Sequence, residues 1–505
     1  MAPDPRTPVL VGVGQAEQRV DDPNEAKEPI DLLAIAARAA DGDAGTRRSL
    51  LGDADTVAVI DMLSWKYPDP GALLARRVGA TPRRTVTTTV GGNSPQMLVN
   101  RLATGITRGE HDVVLLGGAE CVHTRWRARR AEPKAWLTWS EPDDPPCAEV
   151  WGDARPGSSA YEMAHFAVAP TQVYPLFETA LRAETGRAIE EHQRVVSELW
   201  RGFAAVAARN PHAWSRTPFT AEAIRTVSAE NRMVTFPYPK RMCANIDVDQ
   251  AAALLLCSYE AATSAGVAPD RMVFPLSGAD AHDHSFFTER ASLASSPAIE
   301  VAAGAALDAV GLAVEDVARF DLYSCFPAAV EIAMRALGLT GPDAGDGRPL
   351  TLTGGLGFAG GPGNDYSTHG IAAAVDACRS DPGSVALVTA LGWYVTKHAV
   401  GLYSTTPHPS GFTAVDPAST QARVDATPRR EPAGDVDGEV VVEATSVTFD
   451  RDGTPDLGIL TTLTADGRRA LANSRDVDAL QSMCAEPWEG RTVTLRSADG
   501  ANVLE

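Results

Sequence analysis

The chain has 505 residues, of which 44% are hydrophobic and 22% charged, and it carries a formal net charge of −20. That length is too great for one ordinary hydrophobic core and implies two or three domains. No apolar run reaches the roughly 18 residues of a membrane span, and a polyanion of this size repels nucleic acid, so an anionic ligand needs a local positive patch. No apolar stretch follows the first charges of MAPDPRTPVLVGVGQ, so no signal peptide is expected and the chain reads as cytoplasmic. Cys121, Cys147, Cys243, Cys257, Cys325, Cys378 and Cys484 show neither a C-x-x-C pair nor zinc-like spacing. No disulfide framework, metal site or resident cofactor is therefore expected.

The first strand is read at Pro8 to Gly14, β-branched and ending in glycine, and a helix follows from Ile30 to Ala40 with Asp31 in its first turn. From Val86 to Glu120 the pattern is strand, Gly91-Gly92 turn, helix and buried strand, the helix marked by Met97, Leu98, Leu102 and Ile106. About 270 residues later the pattern returns: a glycine-rich turn over Leu352 to Gly361, a helix over Ile371 to Cys378, and a strand over Val385 to Thr389. Two such units predict a duplicated α/β architecture.

Between the copies, Cys121 to Arg241 holds six of the nine tryptophans and a basic run, and reads as an insertion over one face. Its helix-rich part runs from Pro175 to Asn210. Thr413 to Thr427 reads as a loop-like linker. Beyond it, Asp-Gly turns at Asp437-Gly438, Asp452-Gly453, Asp466-Gly467 and Asp499-Gly500 separate short β-rich runs and predict a small OB-like β-barrel. From Val415 to Glu505 there are 9 arginines, no lysine and 17 acids, a balance that argues against nucleic-acid binding. The expected domains are 1–264, with the insertion at about 121–241, then 265–412, the linker 413–427, and 428–505.

The run Ile106, Gly109, Asp112, Val113, Leu115, Gly117, Gly118 and Glu120 resembles the segment that follows the nucleophile in thiolases, I-x-x-G-x-x-D-V-x-L-x-G-G-x-E. Thr353 to Pro362, TGGLGFAGGP, resembles the thiolase turn that ends in G-H-P. Tyr323-Ser324-Cys325-Phe326 takes the place of the N-E-A-F or H-D-C-F box, and Leu391-Gly392-Trp393-Tyr394 the place of C-x-G-G. The resemblance covers about Pro8 to Ser404 and implies a thiolase fold. With the added C-terminal domain, the chain is most similar to the actinobacterial type-1 thiolase-like proteins, often named acetyl-CoA acetyltransferase. What this implies is acyl-CoA or CoA as substrate moiety, in a monomer or homodimer.

The departures bear on chemistry. The nucleophile position falls on Gly92 and the catalytic histidine position on Gly361, and glycine forms no acyl-enzyme and moves no proton. Cys325 matches a family cysteine that is not the nucleophile, and it reads either as a packed core residue or as the remaining thiol of the site. Tyr323 and Tyr366 resemble the tyrosines of thiolase-fold retro-aldolases, which cleave β-hydroxyacyl-CoA without a covalent intermediate; the alternative is that both simply pack. His369 and His398 are further candidate donors to an oxyanion. Arg125, Trp126, Arg127, Arg129 and Arg130 form the positive patch, suited to CoA phosphates and an adenine face or to the chain's own acids. Three readings stay open: a divergent acyltransferase-family enzyme, a retro-aldolase, and a non-catalytic CoA- or lipid-binding module.

Overall fold

The computed structural model describes residues 3–140, 143–341, 347–498 and 500–505. The N-terminal half is a sheet in which Pro8–Glu17, Asp249–Ser258, Val113–Cys121, Thr56–Val59, Arg84–Thr88 and Glu149–Trp151 lie side by side in that order. The C-terminal half repeats it as Phe274–His282, Lys397–Ser404, Val385–Gly392 and Val317–Asp321. In each half the first strand pairs antiparallel with the last, and the last pairs antiparallel with an earlier strand on its other side. That strand in turn pairs parallel with the next. The duplication expected from the repeated turn-helix-strand units is thus present in the connectivity itself. The two sheets meet at Leu10 and Val273, which exchange backbone hydrogen bonds of 2.8 and 3.0 Å.

Between the sheets lie two helices, Ser94–Thr107 and Tyr366–Ser380, packed on one another. Both are buried over most of their surface, which is why the sequence lacks a polar stripe there. Polar residues of the first helix bond one another and the adjoining sheet. Gln96 donates to Asn100 at 2.8 Å and accepts from the Tyr403 hydroxyl at 2.7 Å, and Asn100 donates to the Val400 carbonyl at 3.4 Å. Each helix starts just after one of the two glycine turns, so both turns are placed at helix N-termini.

The insertion holds the helices Pro170–Thr185 and Ile189–Ala207, and it covers the edge strand Arg84–Thr88 with Glu149–Trp151. The C-terminal strands Gly438–Phe449, Pro455–Leu463, Arg469–Ser474, Ala501–Leu504 and Thr492–Ala498 pair in that order, and the last pairs back onto the first. These pairings close a five-stranded ring. Leu480 and Met483 of the helix Val477–Ala485 pack into it with Val442, Val447 and Leu460. Asp437-Gly438, Asp452-Gly453 and Asp466-Gly467 border its strands as expected, while Asp499 lies outside the described residues.

One expectation is corrected. Thr413 to Thr427 is not loop-like: Thr413–Ala414 extends the C-terminal sheet beside Phe274–His282, and Pro417–Asp425 is a helix. Asp416 caps that helix by accepting from the Ala418 amide, and Pro417 starts it; a proline and polar residues at a helix start look locally like a loop. The C-terminal β domain is joined to the insertion by strand pairing. Met233–Phe236 of the insertion pairs with Gly438–Phe449 through Phe236 with Val447 and Thr235 with Thr448.

The firmest tie between barrel and core is Arg469, whose side chain is fully buried. It donates to both carboxylate oxygens of Glu443 at 2.6 Å and to the carbonyls of Phe287, Thr288 and Arg290. Removing it leaves a carboxylate and three carbonyls unpaired. Arg469→Ala is expected to lower stability by about 3–5 kcal/mol in urea unfolding. A loss below ~1 kcal/mol would show that the barrel does not depend on it.

Candidate functional site

The Gly91-Gly92 turn, the box Tyr323 to Phe326, the turn Thr353 to Pro362 and the hairpin 392–397 converge where the two buried helices begin. Gly92 is glycine for a steric reason. A Cβ placed on it would lie 2.3 Å from the Tyr323 hydroxyl oxygen and 2.5 Å from the Leu391 carbonyl oxygen. The space that a side chain at 92 would take is therefore filled by the Tyr323 phenol. Gly361 differs: a Cβ there meets nothing nearer than the Asn245 carbonyl at 3.3 Å and Leu356 at 3.5 Å. A Cβ at 361 would need only a small shift of its neighbours, but it would already be in contact with them.

Tyr323 is 7% exposed, and its backbone N–H donates to Thr389 at 2.8 Å. Burial raises its pKa, so the hydroxyl stays protonated at neutral pH and is a donor first. Its ring meets that of Tyr366 edge-on, with centroids 5.3 Å apart. Tyr366 faces a different network. Its hydroxyl is 2.6 Å from the Thr353 hydroxyl and donates to Asp321 at 3.3 Å. Asp321 also accepts from the Thr351 hydroxyl at 2.9 Å and the Leu352 N–H at 2.8 Å. Burial raises the Asp321 pKa in spite of these bonds. This network shapes the segment that enters the glycine turn.

Cys325 lies beside Tyr174, and burial pushes its thiol up to about 12; a thiol so held is not a nucleophile at neutral pH. His369 bonds Gln15 through Nδ1 at 2.7 Å and is pushed down to about 3 by burial and then by His212. It shares a small enclosed polar cavity with Tyr366, Gln250 and His212. His398 is turned away from the glycine turns, toward Ser296 at 3.4 Å and Asp283 at 3.9 Å, and burial pushes it to about 3 as well. The structure therefore gathers Gly92, Tyr323, Tyr366 and Cys325, sets His369 behind Tyr366, and separates His398.

The reason for His398 is strand alternation: its neighbour Lys397 takes the face toward the site. Lys397 is buried, its ammonium donates to the Asp153 carbonyl and, at 3.5 Å, to that of Val90, and burial lowers its pKa. Asn364 is a second residue that motif reading passes over. It accepts from the Gly91 N–H at 3.0 Å and donates to the Asp61 carbonyl at 2.8 Å, tying the two turns together. Its position inside the G-N-D-Y run was the available signal.

The basic cluster forms the helix Val122–Arg130. Arg125, Trp126 and Arg129 line a concavity of about 220 Å³ with Leu63, Ser64, Ile246 and Gly363. Gly363 is two residues from Gly361, so this patch adjoins the glycine turn. Gly363 has φ +54°, and a Cβ on it would meet Glu120 at 2.3 Å; Glu120 itself accepts from the Leu63 and Ser64 amides at 2.6 Å. Arg125 lies over the Trp65 ring at 5.9 Å, and burial and then Arg129 lower its pKa against the opposing effect of Glu120. Arg127 and Arg130 are placed otherwise. Arg127 donates to the carbonyls of Val20 and Asp21, and Arg130 lies over the Trp126 ring at 5.9 Å.

Residues 419–500 match the model of the thiolase-like protein type 1 additional C-terminal domain. Over the whole of both chains the structure is similar to a monomeric SCP2-thiolase-like protein type 1 from Mycobacterium smegmatis, with 34% identity and a TM-score of 0.85. The chain belongs to the thiolase-like protein type 1 family. Beyond that family, the Ltp2–ChsH2(DUF35) aldolase is similar at 21% identity and TM-score 0.58, over 79% of this chain and 98% of that one. Human mitochondrial 3-ketoacyl-CoA thiolase is similar at 16% identity and TM-score 0.56, over 80% and 99%. At these identities the likeness concerns the fold, and it places the thiolase superfamily architecture beyond the family itself. Among curated proteins no match is found.

The overlap at Gly92 sets a test. Gly92→Cys cannot enter without displacing Tyr323, and the variant is expected to lose about 1–3 kcal/mol of stability from overpacking and to show no thiolysis of acetoacetyl-CoA. A stable variant whose introduced thiol reacts with iodoacetamide and turns over acetoacetyl-CoA would refute the steric account.

Proposed function

We propose that this thiolase-like protein type 1 binds acyl-CoA thioesters beside the 353–363 turn and acts on them by proton transfer from Tyr323, with no acyl-enzyme. The observation that carries the reading is the Tyr323 hydroxyl standing in the side-chain space of position 92, where the two buried helices begin. A thioester carbonyl brought to that turn would meet a protonated phenol and the N-terminal ends of two buried helices, groups suited to an enolate oxygen. The CoA phosphates fall to Arg125 and Arg129, with Trp126 beside them, because that concavity adjoins the turn at Gly363.

Such a site favours reactions that pass through a thioester enolate. In retro-aldol cleavage of a β-hydroxyacyl-CoA, a base takes the hydroxyl proton and the Cα–Cβ bond breaks. An aldehyde or ketone leaves, and the enolate is protonated at Cα. Tyr323 is the group we assign to the enolate; Tyr366, held by Thr353 and Asp321, is a positioning residue. The covered edge strand Arg84–Thr88, and the description of the Mycobacterium smegmatis relative as monomeric, favour a monomer.

Calorimetry with CoA tests the binding half: Arg125→Ala and Arg129→Ala are each expected to weaken binding about tenfold or more and to reduce its salt dependence. Absence of CoA binding to the wild type at low salt would sink the reading. For the chemistry, Tyr323→Phe is expected to cut turnover of β-hydroxyacyl-CoA substrates by about 10²–10⁴-fold with little effect on CoA affinity. A wild type that binds CoA but turns over none of these substrates would leave a binding module.

A further inference from the structure

Asn93 stands immediately after the Gly91-Gly92 turn, and the helix Ser94–Thr107 starts from it. An asparagine at that place ordinarily accepts from a backbone amide of the first helical turn. Here its side chain makes no such bond. It is lodged instead where the turns of the two halves touch. A Cβ on Gly91 would lie 2.5 Å from Asn93 Oδ1, and a Cβ on Gly392 would lie 2.5 Å from the same atom. Two glycines from different halves thus make room for one carboxamide, as Gly92 makes room for the Tyr323 phenol.

The carboxamide so accommodated has no hydrogen-bond partner among the described residues, although Asn93 is only 6% exposed. The Tyr323 hydroxyl has none either. Neither group belongs to the unpartnered polar atoms that are sealed from solvent, so the little surface each residue exposes includes the group that lacks a partner. Neighbouring polar side chains differ. The buried Asn364 spends both ends of its amide, on the Gly91 N–H and the Asp61 carbonyl. Lys397 borders Gly91 and Gly392 with its Cδ and Cβ, but its ammonium is spent on the carbonyls of Asp153 and Val90. Leaving a nearly buried amide unpaired costs about 1–3 kcal/mol, so Asn93 is set for a partner from outside the chain. Position 92 links the two free groups: it adjoins Asn93 in the chain, and its side-chain space holds the Tyr323 hydroxyl.

We propose that Asn93 binds the β-oxygen of a β-hydroxy- or β-oxoacyl thioester whose thioester oxygen lies at Tyr323, and so selects β-oxygenated acyl groups over saturated ones. A carboxamide offers both a donor and an acceptor, which suits a hydroxyl or a ketone. A saturated chain leaves it unpaired, the kind of mismatch by which a site rejects an analogue that lacks one polar group. The assignment rests on the acyl-CoA reading above and adds to it the group that recognises the acyl chain.

The test is calorimetry of the full chain with CoA, butyryl-CoA and acetoacetyl-CoA, with circular dichroism on each variant. Acetoacetyl-CoA carries the β-oxygen yet has no hydroxyl through which retro-aldol cleavage could consume it. The wild type is expected to bind acetoacetyl-CoA about tenfold more tightly than butyryl-CoA. Asn93→Leu, similar in volume, and Asn93→Ala should each abolish that preference and leave the affinity for CoA itself unchanged. Equal wild-type affinities for the two esters overturn the assignment while the CoA reading stands, as does a preference that survives both substitutions. Loss of CoA affinity or of the folded state in both variants overturns it too, by making Asn93 a support of the turn. If the wild type binds none of the three ligands, the acyl-CoA reading falls and this assignment falls with it.

Discussion

The geometry of the site rests on one buried cation. Arg469 leaves water to bond Glu443 and three carbonyls of the segment Phe287 to Arg290, an arrangement tolerable only because every donor finds an acceptor. The segment it holds carries Arg290, which donates to the Tyr394 carbonyl and the Thr396 hydroxyl, each at 2.7 Å. Tyr174 completes the hold by donating to the Trp393 carbonyl at 2.8 Å. Between these anchors Trp393 and Val395 adopt positive φ of 59° and 53°, a conformation unfavourable for a β-branched residue. The hairpin that stands where relatives carry C-x-G-G is thus kept in a strained shape by contacts that begin in the C-terminal domain. That domain is part of the site's scaffold and not an addition to it.

Position 92 and Tyr323 are coupled in the same sense. In a close-packed interior two groups cannot share one volume, so a phenol reaching the Gly91-Gly92 turn requires glycine there, and a side chain there requires the phenol to leave. Gly361 is under no such constraint. The two glycines therefore have different physical status: the Tyr323 phenol occupies the side-chain space of one, while the other has room for little more than a Cβ.

How far the sequence could be read follows from the range of the interactions. The duplicated halves were legible because strand, turn and helix periodicity are local, and the turn-helix-strand units around Gly92 and Gly361 stood out for that reason. Arg125, Trp126 and Arg129 could be singled out together since they lie on one helix. What the sequence hid was long-range or depended on which face a side chain takes. His398 and Lys397 are adjacent in sequence but opposite on their strand, and only the sheet's packing decides which one meets the site. Tyr366 looked equivalent to Tyr323 from motif position, yet Asp321 and Thr353, remote from it in sequence or across a turn, claim its hydroxyl. The helix Pro417–Asp425 was masked by its proline and polar start, and the pairing of Phe236 with Val447 joins residues with no local sign of one another.

Access to the site is governed by electrostatics. A net charge of −20 opposes the approach of a polyphosphate to the surface at large, an effect that salt screens beyond about one Debye length, ~8 Å at physiological salt. Inside that distance the local arrangement decides. Burial and then Arg129 lower the Arg125 pKa against the opposing effect of Glu120, and the same burial removes some of the water that would screen an anion from it. A local positive patch on an acidic surface discriminates between anionic ligands better than a broadly basic surface does.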